Sequence, residues 1–456
     1  MFIGRDNELS KIRDALIAPG KGAIMLYGKR RIGKSSLILE AVKNQECKVI
    51  YYECLRTSVV NNLRNVEKRI QDTFANKFLH FENFEDMFEF LGSTGEKVII
   101  ILDEYCYLKS VADREYIDSL FQTIVDQMSD NIKLILLGSF VGMMKELLEK
   151  ENPLFGRFQL IMNIKAFDYL DAAGFYENCS VRKKVEFYSI FGGSPFVCTN
   201  LIPEDSLENN IKKKILDPYG VLVSYMENTL LSELSKISNA NMILQALANG
   251  RKKYSELESI LRMKSNGGLD KQLKSLIDME IITKTMPINK KNDKKKTFYE
   301  ISDNLVRFYY YYVYGNQDII QRIGADAFYR NYIHSSVTTF ISHRFEDIAK
   351  EYYYRLSRRY PELGIRDIGS FWYDIPKEHR NGEFDCVLQY EDGYSVIEVK
   401  YYQNPMTVGE IRQEVDQIRA LSNFMKIRKV GFLCLSGFEK TDENLELIDG
   451  NMLYCQ

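Results

Sequence analysis

The octet Gly28-Lys29-Arg30-Arg31-Ile32-Gly33-Lys34-Ser35 has the spacing G-x-x-x-x-G-K-[S/T], and its flanks constrain the fold more than any other stretch. The apolar run GAIMLY precedes it and the helix-type run SSLILEAV follows it. Strand, glycine-rich turn and helix start together form a phosphate cradle. Glycines let the backbone curl so that its N–H groups converge, and the helix N-terminus adds the positive end of its dipole. In such a cradle Lys34 reaches the β- and γ-phosphates of a nucleotide and the Ser35 hydroxyl, followed by Ser36, meets Mg²⁺. The residues expected at ATP are therefore Gly28 to Ser36.

The surrounding pattern fits an α/β fold. Apolar β-type runs at Ala23–Tyr27, Val49–Tyr52, Val98–Leu102 and Leu134–Leu137 alternate with helical stretches such as Ser35–Lys43 and Arg114–Gln127. That rhythm predicts βαβ units and a parallel sheet covered on both faces. The run Val98–Leu102 delivers Asp103 and Glu104 at its carboxyl end. Asp103 would meet the metal, and Glu104 would polarise a water against the γ-phosphate. The run Ile132–Leu137 ends in Gly138-Ser139. Ser139 is either a γ-phosphate sensor or the cap of the next helix.

Composition excludes whole classes. Apolar residues make up 45% and charged residues 27%, ordinary for a water-borne globular chain of about three domains. No apolar run approaches the ~18–20 residues of a membrane span. Eight cysteines form no C-x-x-C pair, and the four histidines form no H-E-x-x-H, so a reducing cytoplasm fits better than a disulfide or zinc framework. The net charge of −2 leaves any nucleic-acid contact to local charge.

Such a region follows. Between Arg251 and Thr297 there are 13 Lys or Arg against 6 Asp or Glu. Helical runs at Ala240–Ala248, Tyr254–Leu261 and Gly268–Met279, then a hairpin over Glu280–Ile301, predict a winged helix spanning 236–315. Gly268–Met279 is its recognition helix, and the lysine-rich loop Pro287–Lys296 its wing. Such a module docks on DNA or on a partner protein. The tyrosine run Tyr309–Tyr312 is expected to pack between domains rather than to stack on bases.

Near the C-terminus, Glu383-Phe384-Asp385 precedes Glu398-Val399-Lys400, with a turn at Tyr390–Gly393. Two strands of a hairpin would bring Asp385, Glu398 and Lys400 together, and a helix around Phe345–Leu356 offers Glu346. The oxygen ligands Glu346, Asp385 and Glu398 suit Mg²⁺ or Mn²⁺, and Lys400 would orient water or steady a phosphate. Gln413 and Gln417 on the next helix are weaker additions.

Phe2-Ile3-Gly4-Arg5, the phosphate loop, Leu102-Asp103-Glu104-Tyr105, Leu136-Leu137-Gly138-Ser139, Pro153-Leu154-Phe155-Gly156-Arg157 and Gly192-Gly193-Ser194-Pro195 resemble the archaeal-type ATPase family. That family belongs to the AAA+/STAND branch of P-loop NTPases. The resemblance covers roughly 1–200, with a helical lid reaching about 235. It implies ATP hydrolysis, an adenine flanked by Phe2–Arg5 and Pro195, and Arg157 as an arginine finger or sensor. The bare alternatives are a surface arginine and a helix-ending turn. Roughly 335–435, within a domain expected over 330–456, resembles the PD-(D/E)xK nucleases, a small restriction-endonuclease-like α/β domain, with F-D in place of P-D. Together the resemblances imply an ATP-controlled, metal-dependent DNA nuclease. The alternative is an ATP-switched DNA-binding regulator or oligomerising scaffold, as a homo-oligomer or with another protein partner, whose nuclease-like domain is inactive.

Overall fold

The computed structural model describes residues 2–111, 114–231, 234, 237–262, 268–291, 293–375, 380–421, 424–440 and 445–455. The chain forms two compact units. One runs to Ala166 and includes Asp278–Glu280; the other covers Phe167–Ile277 and everything from Ile281 on.

The first unit is built on five parallel strands: β1 (Gly22–Tyr27), β2 (Lys48–Glu53), β3 (Val98–Asp103), β4 (Ile132–Gly138) and β5 (Leu160–Asn163), in the order β2-β3-β4-β1-β5. Period-two alternation sends Ala23, Met25, Ile100, Leu102, Leu134 and Leu136 to one face and Ile24, Leu26, Ile99, Ile101, Ile135 and Leu137 to the other. Helices Val59–Thr73, Phe84–Ser93 and Arg114–Gln127 cover the first face. Helices Asp6–Ile17 and Lys34–Val42 cover the second. Burial on both faces explains why these strands read as continuous apolar runs. At ~1.5–3 kcal/mol per buried Leu or Ile side chain, the two layers are the main stabilising term of this unit. All loops at the carboxyl edge of the sheet, including the glycine-rich one after β1, therefore open onto one rim.

The second unit holds two further sheets. Helices Ala240–Ala248, Tyr254–Leu261 and Gly268–Asp278 accompany three short antiparallel strands, β6 (Lys252–Lys253), β7 (Ile282–Thr285) and β8 (Phe298–Ile301), ordered β6-β8-β7. The turn expected between the last two helices falls largely outside the described residues. Further on, β9 (Asp367–Ile375), β10 (Arg380–Gln389), β11 (Tyr394–Lys400), β12 (Ile427–Cys434) and β13 (Glu446–Asp449) form a mixed sheet. β9, β10 and β11 pair antiparallel, whereas β11, β12 and β13 run parallel. Helix Val337–Arg359 enters this sheet, and helix Val408–Arg419 links β11 to β12. The second helix packs Ile411, Val415 and Ile418 onto Val387, Val396, Val430 and Phe432. Its start was written in the sequence: Thr407 and Glu410 make a reciprocal capping box.

The tyrosine run is packing, as expected. Tyr309, Tyr310 and Tyr312 are buried. Tyr310 donates to Asn241 Oδ1 at 2.6 Å, and the Phe308 ring packs against Tyr312 and Phe340. All eight cysteines are unpaired. Among the described residues no helix is long and apolar enough to cross a membrane.

Candidate functional site

The phosphate loop takes its shape from Gly28 and Gly33. A Cβ on Gly28 would lie 2.3 Å from the Ile164 carbonyl oxygen, and Gly33 sits at φ +90°. Neither position admits another side chain without strain. Ile32 is buried and anchors the loop, while Arg31, at φ +61°, and Ser36 are exposed. Arg5, itself at φ +68°, donates to the carbonyls of Ile32 at 3.5 Å and Lys165 at 2.5 Å. The Phe2–Arg5 segment is thereby tied to the loop.

Lys34 is buried at the first turn of its helix. Its Nζ donates to the carbonyls of Gly28 at 2.9 Å and Lys29 at 3.1 Å. Burial pushes its ammonium below the ordinary value, against the pull of Glu104 and Asp103. The Ser35 hydroxyl donates to Asp103 Oδ2, which also accepts from Tyr51 OH at 2.6 Å. A hydroxyl and a carboxylate in contact at the helix start are hard oxygen donors of the type Mg²⁺ takes. The residues present thus fit that ion.

Glu104 stands at φ +53°, and its N–H donates to Asp103 Oδ1 at 2.9 Å. Its Oε2 accepts from the Ser139 hydroxyl at 2.7 Å and the Ser139 N–H at 3.3 Å. Ser139 is therefore a partner of Glu104 and not the helix cap; Phe140 occupies that position for Val141–Glu146. Arg30 reaches Ser139 Oγ at 3.4 Å and Tyr107 OH at 2.7 Å, and its guanidinium lies 5.0 Å from the Phe140 ring centre. Tyr51, Tyr107 and Phe140 were not foreseen. Only their position just before or after carboxyl-end strand residues could have signalled them.

One expected member is elsewhere. Arg157 makes a two-pronged pair with Asp126, both contacts at 2.9 Å. It stands just before Gln159, which bonds Ala23 near the amino end of β1. The phosphate loop follows the opposite end of that strand, so Arg157 is a surface arginine and no finger for its own chain's loop. Pro195 lies in the second unit, in the first turn of helix Pro195–Thr199. Gly192, at φ +68°, ends the preceding helix there.

In the second unit, β10 and β11 pair Cys386 with Ile397. Asp385 and Glu398 are the next residues beyond that last paired rung, where β10 shifts its register against β9 between Phe384 and Val387. Glu398 and Lys400 share a face of β11. Lys400 Nζ lies 3.3 Å from Glu398 and 2.8 Å from Glu414. Burial alone would lower Lys400, but those two carboxylates outweigh it and hold its ammonium well above the usual range. Asp385 keeps an open side to solvent. Even so, dehydration by the protein around it, then the charge of Glu346, pushes its carboxyl up to about 6. Lys350 and Arg251 act in the opposite sense. Burial also raises Glu398, against the lowering by Lys400.

The structure thus brings Glu346, Asp385, Glu398 and Lys400 into one charged neighbourhood. Among the described residues no three His, Cys, Asp or Glu are spaced to hold an ion. The Lys400 ammonium bridges two carboxylates there. Gln413 and Gln417 are exposed, and Glu414 beside them makes the contact. Sequence reasoning missed Glu414, Lys350 and Arg251. Glu414 was legible as the residue one turn past Glu410 on the capped helix.

Residues 2–201 match the model of a family described as an ATPase domain predominantly from Archaea. Residues 309–414 match one described as archaeal and bacterial proteins of unknown function. An uncharacterised protein of Methanocaldococcus jannaschii is 29% identical over 411 residues, covering 88% of each chain. The Walker-type ATPase of Pyrococcus abyssi superposes with a TM-score of 0.51 at 21% identity, over 68% of this chain and 96% of that one. The Aeropyrum pernix ORC2 protein, solved in ADPNP–ADP complexes, gives 0.47 at 14% identity, over 70% and 94%. The parallel sheet of the first unit is thus the P-loop ATPase fold.

Proposed function

We propose that the first unit binds and hydrolyses ATP and that the second acts on the phosphate backbone of DNA. The observation that carries the first half is the paired arrangement Ser35–Asp103 and Glu104–Ser139 at one rim of the sheet. When bound, Mg²⁺ would neutralise charge on the β- and γ-phosphates. Ser35 and Asp103 would hold it. The loop N–H groups and Lys34 grip the phosphates, Lys34 exchanging its carbonyl partners for phosphate oxygens. Glu104 takes the proton of the attacking water, and Ser139 fixes the direction of its carboxylate.

In the second unit we read β6–β8 and the helices around them as a winged helix. Its basic residues and the adjoining acid–lysine cluster support DNA as the ligand. We read Asp385, Glu398 and Lys400 as a PD-(D/E)xK-type cleavage site, carried by helix, strand hairpin and helix in the expected order. Lys400 would steady charge on the scissile phosphate. Asp385, with a carboxyl near 6, is suited to exchange a proton at neutral pH. Plasmid and single-stranded DNA with Mg²⁺ or Mn²⁺, with and without ATP, test this. Cleavage by wild type and none by Asp385→Ala supports the site. Equal background from both removes it.

A second reading is favoured by Lys400 bridging Glu398 and Glu414. There the cluster is a closed ionic network, and ATP switches a DNA-bound regulator or scaffold that cuts nothing. Nucleotide-dependent DNA affinity without cleavage would select it. Sizing with ADP and with a non-hydrolysable ATP analogue would reveal any assembly.

A further inference from the structure

The basic wing expected to face a nucleic-acid backbone is engaged inside its own unit. β9 is an edge strand, with backbone groups open on one side. Asn289 closes that side as a neighbouring strand would: Nδ2 donates to the Trp372 carbonyl at 2.8 Å, and Oδ1 accepts from the Trp372 N–H at 3.1 Å. Ile288 beside it is buried with Phe371, Ile375 and Phe384. The cations follow the same path. Lys291 pairs with Asp367 on β9, and Arg251 pairs with Glu383 on β10. Lys296 Nζ lies 3.5 Å from the Trp372 ring centre. Three cations of the small antiparallel module are thus met by two carboxylates and an aromatic face.

We propose that the acidic pair β9–β10 serves as an internal stand-in for a phosphate backbone, holding the wing closed until a nucleic acid displaces it. The contacts have the chemistry of such a backbone. They present carboxylates at intervals to lysine and arginine, a planar ring to an ammonium, and a polar amide to a strand edge. In each pair the cation is the more exposed side, Lys291 at 59% and Arg251 at 32%, against 24% for Asp367 and 9% for Glu383. A polyanion can reach the cations from that side, and the Lys291–Asp367 pair is the weaker one that yields first. The displacement would be felt next door. Glu383 is two residues from Asp385, and releasing Arg251 removes a cation from the acid cluster. This device requires no cleavage, so it stands or falls apart from the nuclease reading.

The test is binding of a fluorescent oligonucleotide to the full chain in EDTA, over a salt series. The probe is compared for wild type, Asp367→Asn and Asp367→Asn/Glu383→Gln. Removing the internal competitor should tighten binding by about three- to tenfold in the double variant, the scale of two partly exposed ion pairs. The salt dependence should also steepen as more cations meet phosphate. Lys291→Glu should weaken binding. Unchanged or weaker binding in a folded double variant overturns the proposal. If Glu383→Gln does not fold, Asp367→Asn alone carries the comparison. Hydrogen exchange at the Trp372 amide is the second readout. Oligonucleotide should speed it, because the Asn289 contact opens; unchanged or slower exchange also overturns the proposal.

Discussion

Glu351 illustrates how a single group sets a pH dependence. It sits on helix Val337–Arg359, accepting from the Tyr169 N–H at 3.0 Å and the Tyr188 hydroxyl at 2.8 Å. Burial raises its carboxyl from 4.5 to about 8, with Asp168 and Asp347 adding to the rise. The folded state therefore holds this proton more tightly than the unfolded chain. Stability from this group is full below about 4.5 and is lost as pH rises through 8. We expect the unfolding free energy from urea titration to fall between pH 5 and pH 9 by an amount on the order of 2 kcal/mol, discounted for the partly open side chain. Glu351→Gln should flatten that fall. An unchanged slope would show that another group governs it. The same reasoning applies at Lys34, where burial lowers the ammonium and the carboxylates of Glu104 and Asp103 oppose it. Lys34→Ala should abolish nucleotide binding, read by equilibrium dialysis, without loss of the folded spectrum.

At the scale of elements, side-chain amides hold the connections that strands and helices do not. Asn62 is fully buried at the start of helix Val59–Thr73. Its amide nitrogen donates to the carbonyls of Leu55, Thr57 and Ser58, and its oxygen accepts from the Leu55 N–H and Tyr52 OH. Asn62→Ala leaves these groups unpaired and should cost about 2–4 kcal/mol in thermal or denaturant unfolding. A loss below about 0.5 kcal/mol would mean that water replaces the amide. The elements legible in the sequence were those with one dominant signal. Strands β1, β3 and β4 are apolar on both faces, the loop after β1 has fixed spacing, and helix Val408–Arg419 has a capping box. β5 and β9 were missed for physical reasons. Leu160–Asn163 is a four-residue edge strand. Asp367–Ile375 is interrupted by glycine and acidic residues and stands at a sheet edge that no further strand pairs. The loop Pro287–Lys296 was legible as basic, but its docking on β9 was not. That contact depends on Asn289 meeting a distant backbone, which no local pattern encodes. Arg157 misled for a similar reason: a motif fixes residue type but not the acid, here Asp126, that claims it.

For the whole molecule, the chain joins two charged constellations of different design. One is a backbone cradle, in which dipoles and a buried lysine do most of the gripping. The other is a side-chain network, in which Lys400 is held among carboxylates. The first was nearly complete in the sequence, since its members fall within short motifs. The second emerged only partly, because Glu414, Lys350 and Arg251 reach it from three separate elements. Arg157→Ala should leave the ATPase rate of the monomeric chain within about twofold, since its partner Asp126 is far from the loop and surface pairs contribute little. A large loss confined to conditions where the protein self-associates would instead mark Arg157 as acting on a neighbouring copy. The central claim concerns Glu104 and its Ser139 contact. The most direct measurement is the steady-state rate of ATP hydrolysis by Glu104→Gln beside wild type, with ATP binding measured on the same samples. The account predicts wild-type-like binding and a rate about 10²–10⁴-fold lower, the usual contribution of a positioned base. A variant that hydrolyses ATP at the wild-type rate would contradict it.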